Sequence, residues 1–133
     1  MGAMISSCRF SLIESLIEEA VMEGATLLAG GKRIKHSLFP LGSYFPPTLL
    51  INVSSKSRIA NEEVFAPIIL FIKVESISEA LKVANGTIYG LGGSVFGSNR
   101  GSLQACIGGM KCGMIAVNDF GIYFSLYSYK FFY

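Results

Sequence analysis

Between residues 6 and 24 the apolar side chains Phe10, Ile13, Ile17, Ala20 and Val21 recur at intervals of three and four. That spacing gathers them on one face of a helix. Glu14, Glu18, Glu19 and Glu23 fill much of the other side, which is therefore expected to meet solvent. Ser6 or Ser7 offers a capping hydroxyl, and Gly24 a left-handed stop. Residues 26–29 form a short β-prone run ending in the Gly30-Gly31 turn. Residues 32–47 keep no period and hold three of the four prolines, so they read as a connection. A second β-prone run covers 48–53.

The stretch N-E-E-V-F-A-P at 61–67 leads into an apolar segment, 66–74, that reads as a buried strand. Ser76-Ile77-Ser78-Glu79 is a capping box opening a helix that runs to about Asn85. Residues 91–96 form a strand framed by glycines, and Ser98 or Asn99 can cap a helix ending at Gly108-Gly109. Residues 113–117 are a further strand, closed by Asn118-Asp119. The alternation predicts an α/β fold, a parallel sheet with flanking helices and right-handed crossovers. The strands lack polar alternation, as expected where both sheet faces are covered.

Composition sharpens this picture. A chain of 133 residues is one domain's worth and can bury its own core. With 15% charged and 51% hydrophobic residues and a mean hydropathy of +0.52, it is an ordered chain. The net charge of +2 is spread thinly, which argues against nucleic acid as a partner. No apolar run is long enough for a membrane span. Cys8, Cys106 and Cys112 are an odd number without compact spacing, which points to a reducing, cytoplasmic setting. Glycosylation patterns at Asn52 and Asn85 carry little weight without a secretory signal. The loose myristoylation match at Gly2 lacks a polybasic companion. Residues 121–133 hold seven aromatic side chains and one charge, Lys130, and read as an abnormal terminus.

Most candidate chemistry fails on its own terms. Around Gly30-Gly31-Lys32, Thr26 and Arg33 stand where a phosphate loop needs Gly and Ser or Thr. Gly90-Leu91-Gly92-Gly93 opens a strand instead of joining strand to helix, so it is no dinucleotide loop. The single histidine, His36, reads as a solvated loop residue, and it leaves any triad or zinc site short of ligands. Cys8 is read as a small packing residue in spite of its place near a helix start. Glu62, Glu63 and Phe65 remain. As bare residues they fit a solvated turn and a core ring, but a fixed carboxylate beside a ring also suits a vicinal diol and a flat heterocycle.

The residues R-I-A-N-E-E-V-F-A-P-I-I at 58–69 are similar to the E-E-x-F-G-P motif of the NAD(P)-dependent aldehyde dehydrogenases. Gly42-Ser43-Tyr44-Phe45-Pro46-Pro47-Thr48 resembles the family's G-x-Y-[FY]-x-P-T segment. The family's A-N-x-x-x-Y-G-L element is matched by Ala84-Asn85-Gly86-Thr87-Ile88-Tyr89-Gly90-Leu91. Gly113-Met114-Ile115-Ala116-Val117-Asn118-Asp119 is similar to its G-x-[VI]-x-[VI]-N-[DG] strand. The resemblance implies that residues 1–120 are part of a family catalytic domain, followed by a divergent tail at 121–133. It further implies that Glu63 holds the nicotinamide ribose hydroxyls of NAD or NADP and that Phe65 packs beside the nicotinamide ring. Ala66 replaces the family's usual glycine, and its methyl is expected to crowd the backbone there.

The family's catalytic cysteine, glutamate base and coenzyme-binding glycines are expected upstream of everything in this chain. None of the three cysteines matches the nucleophile motif, so no residue here is assigned as catalytic and none as a metal ligand. The implied substrate of the full-length family is a small-molecule aldehyde, oxidised to a carboxylic acid. The expectation is a fragment inactive alone. The alternative is a non-catalytic interaction module, or a truncated gene product, associating with a full-length member in a homo- or hetero-oligomer.

Overall fold

Helix α1 (Phe10–Met22) buries Phe10, Ile13, Leu16, Ile17 and Ala20. The apolar stripe is thus the one expected, except that Leu16 in mid-helix is also buried and Val21 near the end is 42% exposed. Leu16 stands three residues from Ile13 and four from Ala20, so it shares their face. No side chain caps the start; the Ser7 carbonyl accepts from the Phe10 N–H instead. The end follows the expected Gly24 stop, with φ +106° and a Schellman pair of bonds, Gly24 N–H to Val21 O and Ala25 N–H to Ala20 O. These elements are seen in a computed structural model that describes residues 2–120; the aromatic segment at 121–133 lies outside the described residues.

Where length suggested one domain, the chain divides into two compact units after Lys73. In the first, β1 (Thr26–Ala29), β2 (Thr48–Ile51) and β3 (Ile68–Leu70) form a sheet in that order. β2 and β3 are parallel, as expected, with Thr48 beside Ile68 and Leu50 beside Leu70. β1, however, runs antiparallel to β2. A parallel pairing requires a crossover long enough to return the chain, usually a helix, and the connection at 32–47 contains none. A one-turn helix absent from the sequence reading, α2 (Arg58–Asn61), lies between β2 and β3. The core joins the α1 stripe to Ala25, Phe45, Leu50, Val53 and Ile59, with the Phe10 and Phe45 rings 5.8 Å apart.

The expectation that both sheet faces are covered fails here. Thr48 and Leu50 are buried, but Ile69 and Phe71, in the segment read as a buried strand, are 60% and 58% exposed. Two glutamates read as solvated are also tied down. Glu14 accepts from the Arg33 N–H at 2.9 Å, and Glu19 accepts from Ser15 and lies 3.5 Å from Arg58.

The second unit holds α3 (Ile77–Ala84), β4 (Gly92–Val95), α4 (Arg100–Gly109) and β5 (Met114–Val117). β4 and β5 are parallel over four residue pairs, from Gly92–Met114 to Val95–Val117. Ser76 Oγ accepts from Glu79 N–H as expected, but the Glu79 carboxylate accepts from the Glu75 N–H and so does not close the box on Ser76. Of the two cap candidates for α4, Asn99 acts, its Oδ1 accepting from Ser102 N–H. Two further asparagines hold the unit together. Asn118, with φ +52°, exchanges hydrogen bonds with both backbone groups of Gly97. Asn85 donates to the Gly109 carbonyl at 2.7 Å and accepts from the Lys111 N–H at 2.8 Å, joining the ends of α3 and α4.

Removing both bonds with Asn85→Ala should destabilise the second unit by about 1–3 kcal/mol, because two backbone groups lose their partners. Urea denaturation followed at a probe in this unit measures it. A midpoint equal to that of the unchanged chain would show that water replaces the amide without cost.

Candidate functional site

The site is built on α2, which is too short to stand by propensity and is held from its sides. Ile59, 2% exposed, anchors it in the core. The Asn61 amide donates to the carbonyls of Ser55 at 3.0 Å and Ser57 at 2.8 Å, and the Ser57 hydroxyl donates to Ser54 O. Arg58 donates through Nε to Glu62 Oε1 at 2.6 Å and reaches Glu19 of α1 with Nη1. The hydrogen bond that Arg58 donates to Glu62, and next the Glu62 charge, raise the Arg58 guanidinium above its ordinary pKa. One carboxylate of the Glu62-Glu63 pair is thus committed to an internal ion pair.

Glu63 differs. It is exposed, and no hydrogen bond or ion pair joins it to any of the described residues. Two residues on, Phe65 adopts φ +49°, a left-handed conformation that is unusual for a bulky side chain, and its ring is 75% exposed. Ala66 is not in that conformation and its side chain packs against the core. The turn therefore places its unusual backbone at Phe65, and residue 66 needs no glycine to make it. Phe65, Ala66 and Pro67 line a shallow depression of about 450 Å³ with Gly2, Ala3 and Met4.

The other polar residues of the motifs have internal roles. The buried Thr48 hydroxyl accepts from Gly31 N–H at 2.9 Å and donates to Pro46 O. A side chain at Gly30, φ +72°, would collide with Thr48 and Pro47, so this turn requires glycine. Asn61, Glu62, Asn85 and Asn118 are bonded as described above. Glu63 and Phe65 face outward without a packing or bonding role, as do Ile88 and Leu91 of the second unit, but only the first two combine a carboxylate with an aromatic ring. They carry the groups a ribose diol and a flat ring require, whereas a pyrophosphate cradle is missing from this turn.

The remaining sequence candidates lie elsewhere. His36 is half-buried, not solvated, with its ring 5.4 Å from Phe39 and 5.1 Å from Tyr44 and its Nδ1 accepting from Leu38 N–H. Cys8 is exposed and its sulfur accepts from the Ser6 hydroxyl, so it is not the packing residue expected. Arg58 and Asn61 were missed as parts of the site. The one available signal was the i,i+4 spacing of Arg58 and Glu62, and a single turn offers too few residues for a period to show. Among the described residues, no cluster of His, Cys, Asp and Glu suits a metal, and no helix is long and apolar enough to cross a membrane.

The sequence is 48% identical over 126 residues to an aldehyde dehydrogenase-like protein of Schizosaccharomyces pombe, covering 95% of this chain and 24% of that one. Its fold is shared with the lactaldehyde dehydrogenase of Escherichia coli at a TM-score of 0.80 and 33% identity, over 89% of this chain and 24% of that one. A betaine aldehyde dehydrogenase variant of Staphylococcus aureus, solved with NAD+, gives a TM-score of 0.81 and 39% identity over 91% of this chain and 24% of that one. The chain thus spans about a quarter of the length of these relatives. The family model for aldehyde dehydrogenases matches residues 1–129. On that match, with the motifs in order and the fold shared, the chain belongs to the aldehyde dehydrogenase family.

Proposed function

We propose that this chain supplies the nicotinamide-ribose wall of an NAD(P)-dependent aldehyde dehydrogenase catalytic domain, and that it has no turnover by itself. The observation that carries the reading is the outward, unpartnered pair Glu63 and Phe65, beside Asn61 and Glu62, which are both bonded within the fold. The Glu63 carboxylate accepts hydrogen bonds from the two ribose hydroxyls, and the Phe65 ring packs beside the nicotinamide. When bound, the nicotinamide provides a hydride acceptor for oxidation of an aldehyde to a carboxylic acid. The residues present bind and orient the cofactor. None of Cys8, Cys106 and Cys112 takes the role of nucleophile in this reading, and the Cys112 thiol donates to Met114 O.

Purified chain incubated with NAD+ or NADP+ and a panel of aldehydes should show no cofactor reduction above background. Reduction that persists after all three cysteines are changed to serine would overturn the reading.

A further inference from the structure

Burial along 62–66 alternates residue by residue. Glu62, Val64 and Ala66 are half-buried, while Glu63 and Phe65 stand exposed between them. The chain enters this run extended, with φ −112° and ψ 144° at Glu62, so the side chains of 62 and 63 leave on opposite sides. The three half-buried residues pin the run to the first unit. Val64 and Ala66 pack against the core. The pin at Glu62 is polar: its Oε1 accepts from Arg58 Nε at 2.6 Å. Arg58 is braced in turn, with Nη1 3.5 Å from Glu19 Oε1, an oxygen that also accepts from the Ser15 hydroxyl at 3.2 Å. Glu19 and Ser15 belong to α1, whose Leu16 and Ala20 are fixed in the core. The guanidinium fork thus ties Glu62 to the best-anchored helix of the unit.

We infer that Arg58 is a positioning residue for the nicotinamide-ribose contact: it holds Glu62 back toward α1 and thereby keeps the Glu63 carboxylate aimed outward. This role rests on Glu63 being the diol acceptor, and it explains why the second of two adjacent glutamates is the one on offer. The Arg58 side chain is 50% exposed, so its ion pair with Glu62 adds little to the stability of the fold. Its effect is on order. With the pin gone, the backbone at 62–63 can roll, and a carboxylate that has rolled away must be immobilised again on binding, which costs affinity.

The test is binding of nicotinamide mononucleotide, followed by ligand-observed NMR. Arg58→Met, which keeps the stem but has no donor, should weaken binding about fivefold. Arg58→Lys keeps a cation within reach of Glu62 and should stay within about twofold of the unchanged chain. Glu62→Ala removes the same pin from its other end and should match Arg58→Met, whereas Glu62→Gln keeps an acceptor for Arg58 and should not. The pairing with Glu63→Gln separates positioning from a loosened fold. Glu63→Gln should cost about tenfold in the unchanged chain but no more than about twofold after Arg58→Met, since the contact it removes is then already largely lost. A loosened fold would leave the two losses additive. Circular dichroism confirms that each variant remains folded. Unaltered binding by folded Arg58→Met and Glu62→Ala overturns the inference, and so does a full cost of Glu63→Gln in the Arg58→Met background. If Glu63→Gln has no effect even in the unchanged chain, the diol contact itself falls, and the role of Arg58 with it.

Discussion

Leu50→Ala should destabilise the first unit by roughly 2–5 kcal/mol, a large share of what a domain of this size can hold. Leu50 is 0% exposed on the central strand, paired with Leu27 and Leu70, and it belongs to the cluster that joins Ile13, Leu16 and Ile59. Truncating its isobutyl group to a methyl leaves a hole bounded by a helix and two strands, none of which can move in without breaking pairing. The neighbouring exposed position gives the contrast, since Ile69→Ala should cost less than about 0.5 kcal/mol. Urea denaturation of both variants measures the difference. Equal losses would mean that the two faces of the sheet are not as unlike as their exposures imply.

Glu63→Gln should weaken binding of nicotinamide mononucleotide about tenfold or more, because a charged acceptor facing two hydroxyls is replaced by a neutral amide with one acceptor oxygen. Affinity for half a dinucleotide on one wall is expected to be low, roughly millimolar, so ligand-observed NMR is the suitable measurement. Glu62→Gln should change affinity by less than about twofold, since that carboxylate faces Arg58. A ligand lacking the ribose hydroxyls should bind both forms of residue 63 alike. If Glu62→Gln carries the loss instead, the assignment of the two glutamates is reversed. If neither variant differs from the unchanged chain, the ribose contact is absent.

What the sequence disclosed follows how local each cause is. The Gly24 stop, the Ser76 cap and most of the apolar stripe of α1 depend on close neighbours and were legible, whereas the burial of Leu16, the exposure of Val21 and the choice of Asn99 over Ser98 were not. The antiparallel course of β1 depends on what the 32–47 connection fails to contain, and the strand's own residues do not encode that. The exposure of Ile69 and Phe71 was unreadable for a related reason. An apolar strand records which faces are suited to cover, not which are covered in a given chain. At the site, resemblance singled out Glu63 and Phe65. The commitment of Glu62 to Arg58, and the left-handed backbone of Phe65, emerged only from the fold.

The asparagine that ties α3 to α4 has a chemical consequence. Asn85 is followed by Gly86, the pairing in which attack of the next backbone nitrogen on the side-chain amide, with loss of ammonia, is least hindered. Here both ends of that amide are held, and the Gly86 N–H is bonded to Val83 O at 3.0 Å. Ring closure has to wait until the helix end opens. Slow deamidation at Asn85, followed by mass spectrometry during storage, would thus act as a clock for local opening of the second unit, running faster in any variant that loosens it.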